Sequence, residues 1–311
     1  MQKILVILVI VGVLAAGILL IRHQQPIAVS RGGCVDIPAS PDYLSTNSET
    51  DAIAAIDNAH KQENLPPLRL PANYFRLEPP QQQFILLNLE RTDRGLPPLK
   101  MDAALSQMAL GYSRQLSNLH FFSHTSPISG SFTNRMNSNP ATTHHYSLAA
   151  ENLSGNPVAG AGPMYEYMYD DLVESCGHRL NILDPKLTLV GINWVRDSRY
   201  GSISAQEFLT SLSWNPYSHP PPDTIAPSVV MSQPIIDESS ILTCRVLAED
   251  NVGVARITWF LDRVGNQPYL GPTLTLDVSQ LSPGKHTLLV YAVDGALNYA
   301  MASSTFIVIK S

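Results

Sequence analysis

The stretch Glu174–Leu183, ESCGHRLNIL, places a single histidine, His178, directly after Gly177 and ahead of the apolar pair Ile182 and Leu183. Two earlier stretches answer it: FFSHTSP at 121–127, with His124, and AAENLSG at 149–155, with Glu151. His124, Glu151 and His178 lie 27 positions apart at each step, so only a fold brings them together. Two imidazoles and one carboxylate are the ligand set of a catalytic-type zinc site. The same three groups also make a hydrogen-bonded polar cluster.

Working outward, the run Pro163–Val173 predicts a helix that ends near Gly177. Beyond it the apolar period changes from helical to alternating. Leu187–Trp194 and Gln206–Trp214 read as strands, the first interrupted by Gly191. Upstream, Asp51–Asn64 predicts a short helix stopped by Pro66-Pro67. Gln81–Arg94 predicts a stronger one, with Pro79-Pro80 before its first turn and Gly95 past its end. Asp102 suits the cap of a third, carried by Leu105, Met108, Ala109, Tyr112 and Leu116. His124–Thr143, rich in Ser, Thr, Asn and Pro, reads as a long loop. Helices first and strands later predict helices packed on a mostly antiparallel sheet.

Residues 218–224, SHPPPDT, read as a stiff linker. The remainder alternates in period two: Leu242, Cys244 and Val246 share one face, Ile257, Trp259 and Leu261 another, and Leu288, Val290 and Ala292 a third. Turn signals recur at Asp250-Asn251, Gly265-Asn266, Pro283-Gly284 and Asp294-Gly295, which predicts a small β-sandwich. At the other end, Ile4–Ile21 is an unbroken run of 18 apolar or small residues, about 27 Å as a helix and close to a bilayer core. It reads as a signal anchor, with a cleaved signal peptide as the alternative. A tether of Pro, Ser, Thr, Gly and Asn follows.

The chain has 311 residues and a formal net charge of −6, which predicts about two domains and excludes the basic stripe of a nucleic-acid binder. Its three cysteines, Cys34, Cys176 and Cys244, exclude a dense disulfide framework. A Cys34–Cys176 bridge is one option, and Cys244 on an apolar strand face reads as an inert thiol.

Taken together, LNLERTDRGLPPL at 87–99, FFSHTSP, AENLSG at 150–155, GHRLNIL at 177–183, LVGINW at 189–194 and AQEF at 205–208 resemble the bacterial branch of the CAP superfamily. That superfamily includes cysteine-rich secretory proteins, venom antigens and plant pathogenesis-related proteins. The likeness covers 51–217 with every motif in the family's order. It implies an α-β-α sandwich, a place outside the cytoplasm, and a cleft lined by His124, Glu151 and His178. Leu172 stands where many members have tryptophan, Ser175 keeps their serine, and Cys176 replaces a frequent proline. Other branches carry a second glutamate nearby, and Glu174 is one residue off that register. The tail, DTIAPSV at 223–229, AEDNVGVARITWFLD at 248–262 and LSPGKHTLLVYAVDGALN at 281–298, looks like a bacterial immunoglobulin-like module.

The expected architecture is therefore α+β: a signal anchor or signal peptide at 1–22, a tether at 23–50, a CAP-like domain at 51–217, a linker at 218–223 and an immunoglobulin-like β-sandwich at 224–311. The expected partners are the membrane, through the N-terminal helix, and a cell-wall or surface ligand (glycan, lipid or protein), with no nucleic acid. As metal ligands, His124, Glu151 and His178 suit Zn²⁺ or another divalent ion, and Glu174 is the spare acid that can serve as general base in a metal-assisted hydrolase. A binding cleft without catalysis and an inert cleft in a surface-assembly protein are the other readings. The zinc-protease helix motif fails, because Phe121 follows His120 where it needs glutamate. His120 reads as a helix-end residue and His144-His145 as a loop pair. Asp250 and Asp294 show too few neighbouring acids for calcium and read as turn residues. Neither a phosphate loop nor a Gly-x-Ser-x-Gly elbow is present, and Gly160-Ala161-Gly162-Pro163 follows no clear strand.

Overall fold

The computed structural model describes residues 45–172 and 175–309. The apolar run at 4–21, the tether to residue 44, Cys34 and Glu174 lie outside them. Among the described residues no helix is long and apolar enough to cross a membrane.

The first region runs α1 (Glu49–Gln62), α2 (Pro79–Thr92), β1 (Lys100–Met101), α3 (Ala103–Asn118), β2 (Thr125–Ser126), β3 (Gly130–Ser131), α4 (Phe132–Ser138), β4 (Tyr146–Gly155), α5 (Ala161–Tyr169), α6 (Gly177–Ile182), β5 (Leu189–Asp197) and β6 (Gly201–Ser211). Its main sheet has the order β1-β5-β6-β4, with β1 parallel to β5 and the other pairs antiparallel. Strand alternation sorts side chains into two cores. Val190, Ile192 and Phe208 face α1, α2 and α5, while Leu189, Ile203, Ala205 and Leu209 face α3. The helices are started as the sequence indicates: the Asp102 carboxylate accepts from Leu105 N, and Pro79-Pro80 opens α2.

Three expectations need correction. The segment 124–143 is not one loop but a β2–β3 hairpin followed by α4. Ser131 and Asn134 make a capping box there, so polar residues that suggested a loop are starting a helix. The helix expected at 163–173 stops at Tyr169, and α6 begins separately at Gly177 after left-handed Ser175 and Cys176. Trp214, expected at the end of the last strand, lies beyond β6 and is 75% exposed.

The β-rich C-terminal region runs β7 (Ser228–Met231), β8 (Ile235–Ile236), β9 (Ile241–Glu249), β10 (Val254–Leu261), β11 (Tyr269–Leu270), β12 (Thr273–Asp277), β13 (Gly284–Asp294) and β14 (Tyr299–Val308). One sheet is β11-β10-β13-β14, and the other is β12-β9-β7 with β8 also on β9. Leu242, Cys244, Val246 and Leu274 of one sheet meet Trp259, Leu288, Val290 and Phe306 of the other in a common core. Cys244 is free and buried, as its strand face implied.

The two regions are not strung apart by the proline-rich stretch. Leu105, Met108, Ala109, Tyr112 and Leu116 of α3 share one core with Phe260, Tyr291, Val293 and Leu297. Gln107 Nε2 donates to Asn298 Oδ1 (3.0 Å) and Gln115 Nε2 to Leu297 O (3.2 Å). Tyr217 Oη and His219 Nδ1 each donate to Asp102, at 2.9 Å. Gly111 lets this contact close: a Cβ there would lie 2.7 Å from Ala296 O and 2.8 Å from Leu297 Cβ. The substitution Gly111→Val should therefore destabilise the protein by about 1–3 kcal/mol through overpacking, and it should expose 218–223 to proteolysis. Urea unfolding together with limited proteolysis checks this. An unchanged midpoint and unchanged cutting would mean that the two regions stand independently.

Candidate functional site

The residues of GHRLNIL divide their work by helical position. His178 turns toward His124 and its side chain is 15% exposed. Arg179 turns away, donating to Met168 O (2.7 Å) and Glu63 Oε1 (2.5 Å). Asn181 Nδ2 donates to Asn152 Oδ1 (2.9 Å), which ties α6 to strand β4. Ile182 is fully buried in the core. Asp171 holds the start of this short helix: its Oδ1 accepts from His178 Nδ1 (2.7 Å) and its Oδ2 from Arg179 N (3.1 Å). The His178 ring is thereby fixed with Nδ1 occupied, and the Tyr167 ring packs against it at 5.0 Å between centroids.

His124 reaches the same cleft from the other face of the sheet, across the edge strand β4 that carries Glu151. Its ring lies 6.5 Å from that of His178. His124 Nδ1 donates to Glu151 Oε1 (2.7 Å), and Arg135 donates to Glu151 Oε2. Arg135 also donates to the carbonyls of His124 and Gly130, both at 3.0 Å, and its guanidinium lies 3.5 Å above the Tyr112 ring. Tyr112 Oη donates to Ser123 O (2.6 Å), so the loop carrying His124 is held at two points.

The fold thus brings His124, Glu151 and His178 together. Glu174 lies outside the described residues and cannot be positioned against them. Both oxygens of Glu151 are taken by His124 and Arg135, so Glu151 serves as the partner that orients a ring, while His124 and His178 each keep Nε2 as a donor atom for a metal or another ligand. His120 takes a left-handed conformation just past α3, and His144 lies in a turn.

Three residues of the site were not anticipated: Asp171, Arg135 and Glu207. Glu207 pairs across strands with Glu151, is 1% exposed, and accepts a hydrogen bond from no N–H or hydroxyl donor, its near neighbour being the Glu151 carboxylate. Burial, and then the negative charge of Glu151, push its carboxyl well above the usual range, against the pull of Arg135. One buried guanidinium faces two carboxyls, so Glu207 holds its proton to higher pH than a free glutamate does. The motif AQEF held the signal, since glutamate in an otherwise apolar strand register is an odd residue to bury.

The sign of the pH effect follows. The folded protein retains a proton on Glu207 that the unfolded chain releases above about its ordinary value of 4.5. Stability therefore falls as pH rises from there toward the raised folded value. Glu207→Gln keeps the shape without a proton to lose. It should flatten this slope, by on the order of 1 kcal/mol per pH unit, and leave the variant more stable than the parent at pH 7. Urea denaturation across the pH range is the check.

Residues 84–211 match the family model described as "CAP: Cysteine-rich secretory protein family". Over 124 residues the chain is 35% identical to the uncharacterized protein YkwD of Bacillus subtilis (strain 168), covering 40% of this chain and 44% of that protein. Among solved structures, an extracellular protein containing a SCP domain from Bacillus anthracis str. Ames is 25% identical, over 46% of this chain and 44% of that one, at a TM-score of 0.36. A cysteine-rich secretory protein from Staphylococcus aureus is 20% identical, over 46% and 41%, at a TM-score of 0.31. The chain spans less than half the length of these relatives. Residues 84–211, which carry the cleft, form a CAP domain with bacterial homologues.

Proposed function

We propose that the protein acts outside the cytoplasm as a binding module whose CAP cleft takes a cell-surface ligand, with a polysaccharide of the cell wall as the first class to test. The observation that carries this reading is the fixed orientation of the two imidazoles. Glu151 and Asp171 each hold one Nδ1, which leaves the Nε2 edges of His124 and His178 to meet a ligand. His124 is 51% exposed, so a ligand reaches it without rearrangement. Rings locked by carboxylates recognise hydroxyl groups at little ordering cost, as preorganised sites do. A metal-assisted hydrolase is the second reading: a metal on the two Nε2 atoms would leave Glu151 and Asp171 in place as the carboxylates that orient its ligands.

The rest of the chain is consistent with display at a surface. The apolar run at 4–21 suits an anchor or signal peptide, and relatives are described as extracellular or secretory. The C-terminal two-sheet region reads as an immunoglobulin-like module, and its packing on α3 makes it a support for the cleft region more than a loose spacer.

The test is cosedimentation with purified cell-wall polysaccharide, run with the double variant His124→Ala/His178→Ala and with zinc calorimetry in parallel. Retention lost at least tenfold in the double variant, with no stoichiometric zinc uptake, is the expected result. One-to-one zinc binding that disappears in the double variant would make this a metal site and send the work to a hydrolase substrate screen. Retention untouched by the double variant would take the ligand away from the cleft.

A further inference from the structure

Asp223, Asp250 and Asp294 come from three separate places: the stretch joining the two regions, the β9–β10 turn and the last residue of β13. A carboxylate oxygen from each lies within 4.8 Å of the other two. Turn chemistry accounts for only part of them. Asp250 Oδ2 accepts from Val252 N (2.9 Å) and Gly253 N (2.8 Å). Asp294 accepts from Asn298 N (2.9 Å) and Asn298 Nδ2 (2.8 Å). The third acid arrives because Asn298 Nδ2 also donates to Asp223 O (3.0 Å).

What turn chemistry leaves over points to a ligand. Asp223 Oδ2 and Asp250 Oδ1 are both shut off from solvent, and neither has a hydrogen-bond partner. Asp294 is 0% exposed. Among the described residues no lysine, arginine or histidine forms an ion pair with any of the three. Asp294 is buried while Asp223 and Asp250 are partly exposed, and carboxylates gathered this closely without a positive partner repel one another. Burial, with the charges of Asp223 and Asp250 behind it, pushes the Asp294 carboxyl up to about 7.

We propose that Asp223, Asp250 and Asp294 bind a calcium ion that rivets the connecting stretch to the turn docked on α3. An all-oxygen set of carboxylates is the donor chemistry of a hard cation, and zinc would call for nitrogen or sulfur. Calcium accepts six to eight oxygens in irregular geometry, which suits ligands drawn from two turns and a linker, with water completing the shell. Magnesium demands a near-ideal octahedron. The hydrogen bonds to Asn251, Val252, Gly253 and Asn298 already aim the carboxylates inward, as outer partners do around metals. The same Asn298 accepts from Gln107 on α3, so the ion and the interface share a residue.

The full-length chain, treated with chelator and verified as folded by circular dichroism, is titrated with calcium chloride by calorimetry. Asp223→Asn and Asp250→Asn are run beside it. One calcium per chain is expected, with each substitution weakening binding about tenfold or more. Calcium should raise the thermal midpoint of the parent and have little effect on the variants. Asp250 holds the β9–β10 turn through Val252 N and Gly253 N, whereas Asp223 lies in the connecting stretch, so the Asp223 variant keeps the test decisive if Asp250→Asn fails to fold. Absence of calcium heat and of any midpoint shift in the folded parent would overturn the proposal. So would calcium binding retained in full by the variants, or tighter binding of magnesium than of calcium.

Discussion

The close approach of α3 to strand β5 is the contact on which the rest of the structure depends. Gly191 makes it possible: a Cβ there would lie 2.1 Å from the Leu105 carbonyl carbon and 2.2 Å from Ser106 N. No side chain fits, and the sequence marked the place with a glycine inside an otherwise apolar strand. With α3 pressed this tightly on the sheet, its far side stands ready for a second layer. The β-rich region supplies that layer, and Gly111 repeats the device on the opposite flank. A helix flanked by two such glycines is buried nearly all round, as Gln107, Met108, Tyr112, Ser113 and Gln115 are.

The cleft inherits its shape from this arrangement and its chemistry from a shortage of positive charge. Arg135 is 1% exposed, and it is the cation paired with the buried Glu151. Glu207 sits beside that pair with its carboxyl pushed toward the protonated form, and Glu151 orients His124. A second carboxylate, Asp171, does the same for His178 from a different element. Two imidazoles fixed by two separately positioned acids make a rigid recognition edge, in which each ring has one nitrogen spent and one to offer.

The sequence made the framework of helices, the sheet they cover and the three cleft residues legible, because FFSH, AENL and GHR are local motifs in a fixed order. What escaped it depended on pairing. Strand β4 was not visible, since AAENLSG carries buried polar residues, Asn152 and Ser154, where an alternating strand would show apolar ones. Glu207 becomes part of the site only once the β4–β6 register sets it opposite Glu151. Arg135 sits in a segment whose serines and asparagines resemble a loop until Ser131 is seen to cap a helix. Asp223 was read as linker, because nothing local shows that Asn298, 75 residues later, reaches back to hold it.

The shared core also has a consequence in time. Gln115 and its acceptor Leu297 are 182 residues apart. At about 5–20 residues per second, synthesis leaves roughly 10–40 seconds between the appearance of α3 and of the turn that covers it. Throughout that interval Tyr112 and Leu116 have lost their partners on one side, and the helix presents an apolar flank to whatever is nearby. A chain built this way finishes its N-terminal region last in effect, because the final strands complete a core begun near the start. The core around α3 therefore closes only once the chain through Leu297 has been made.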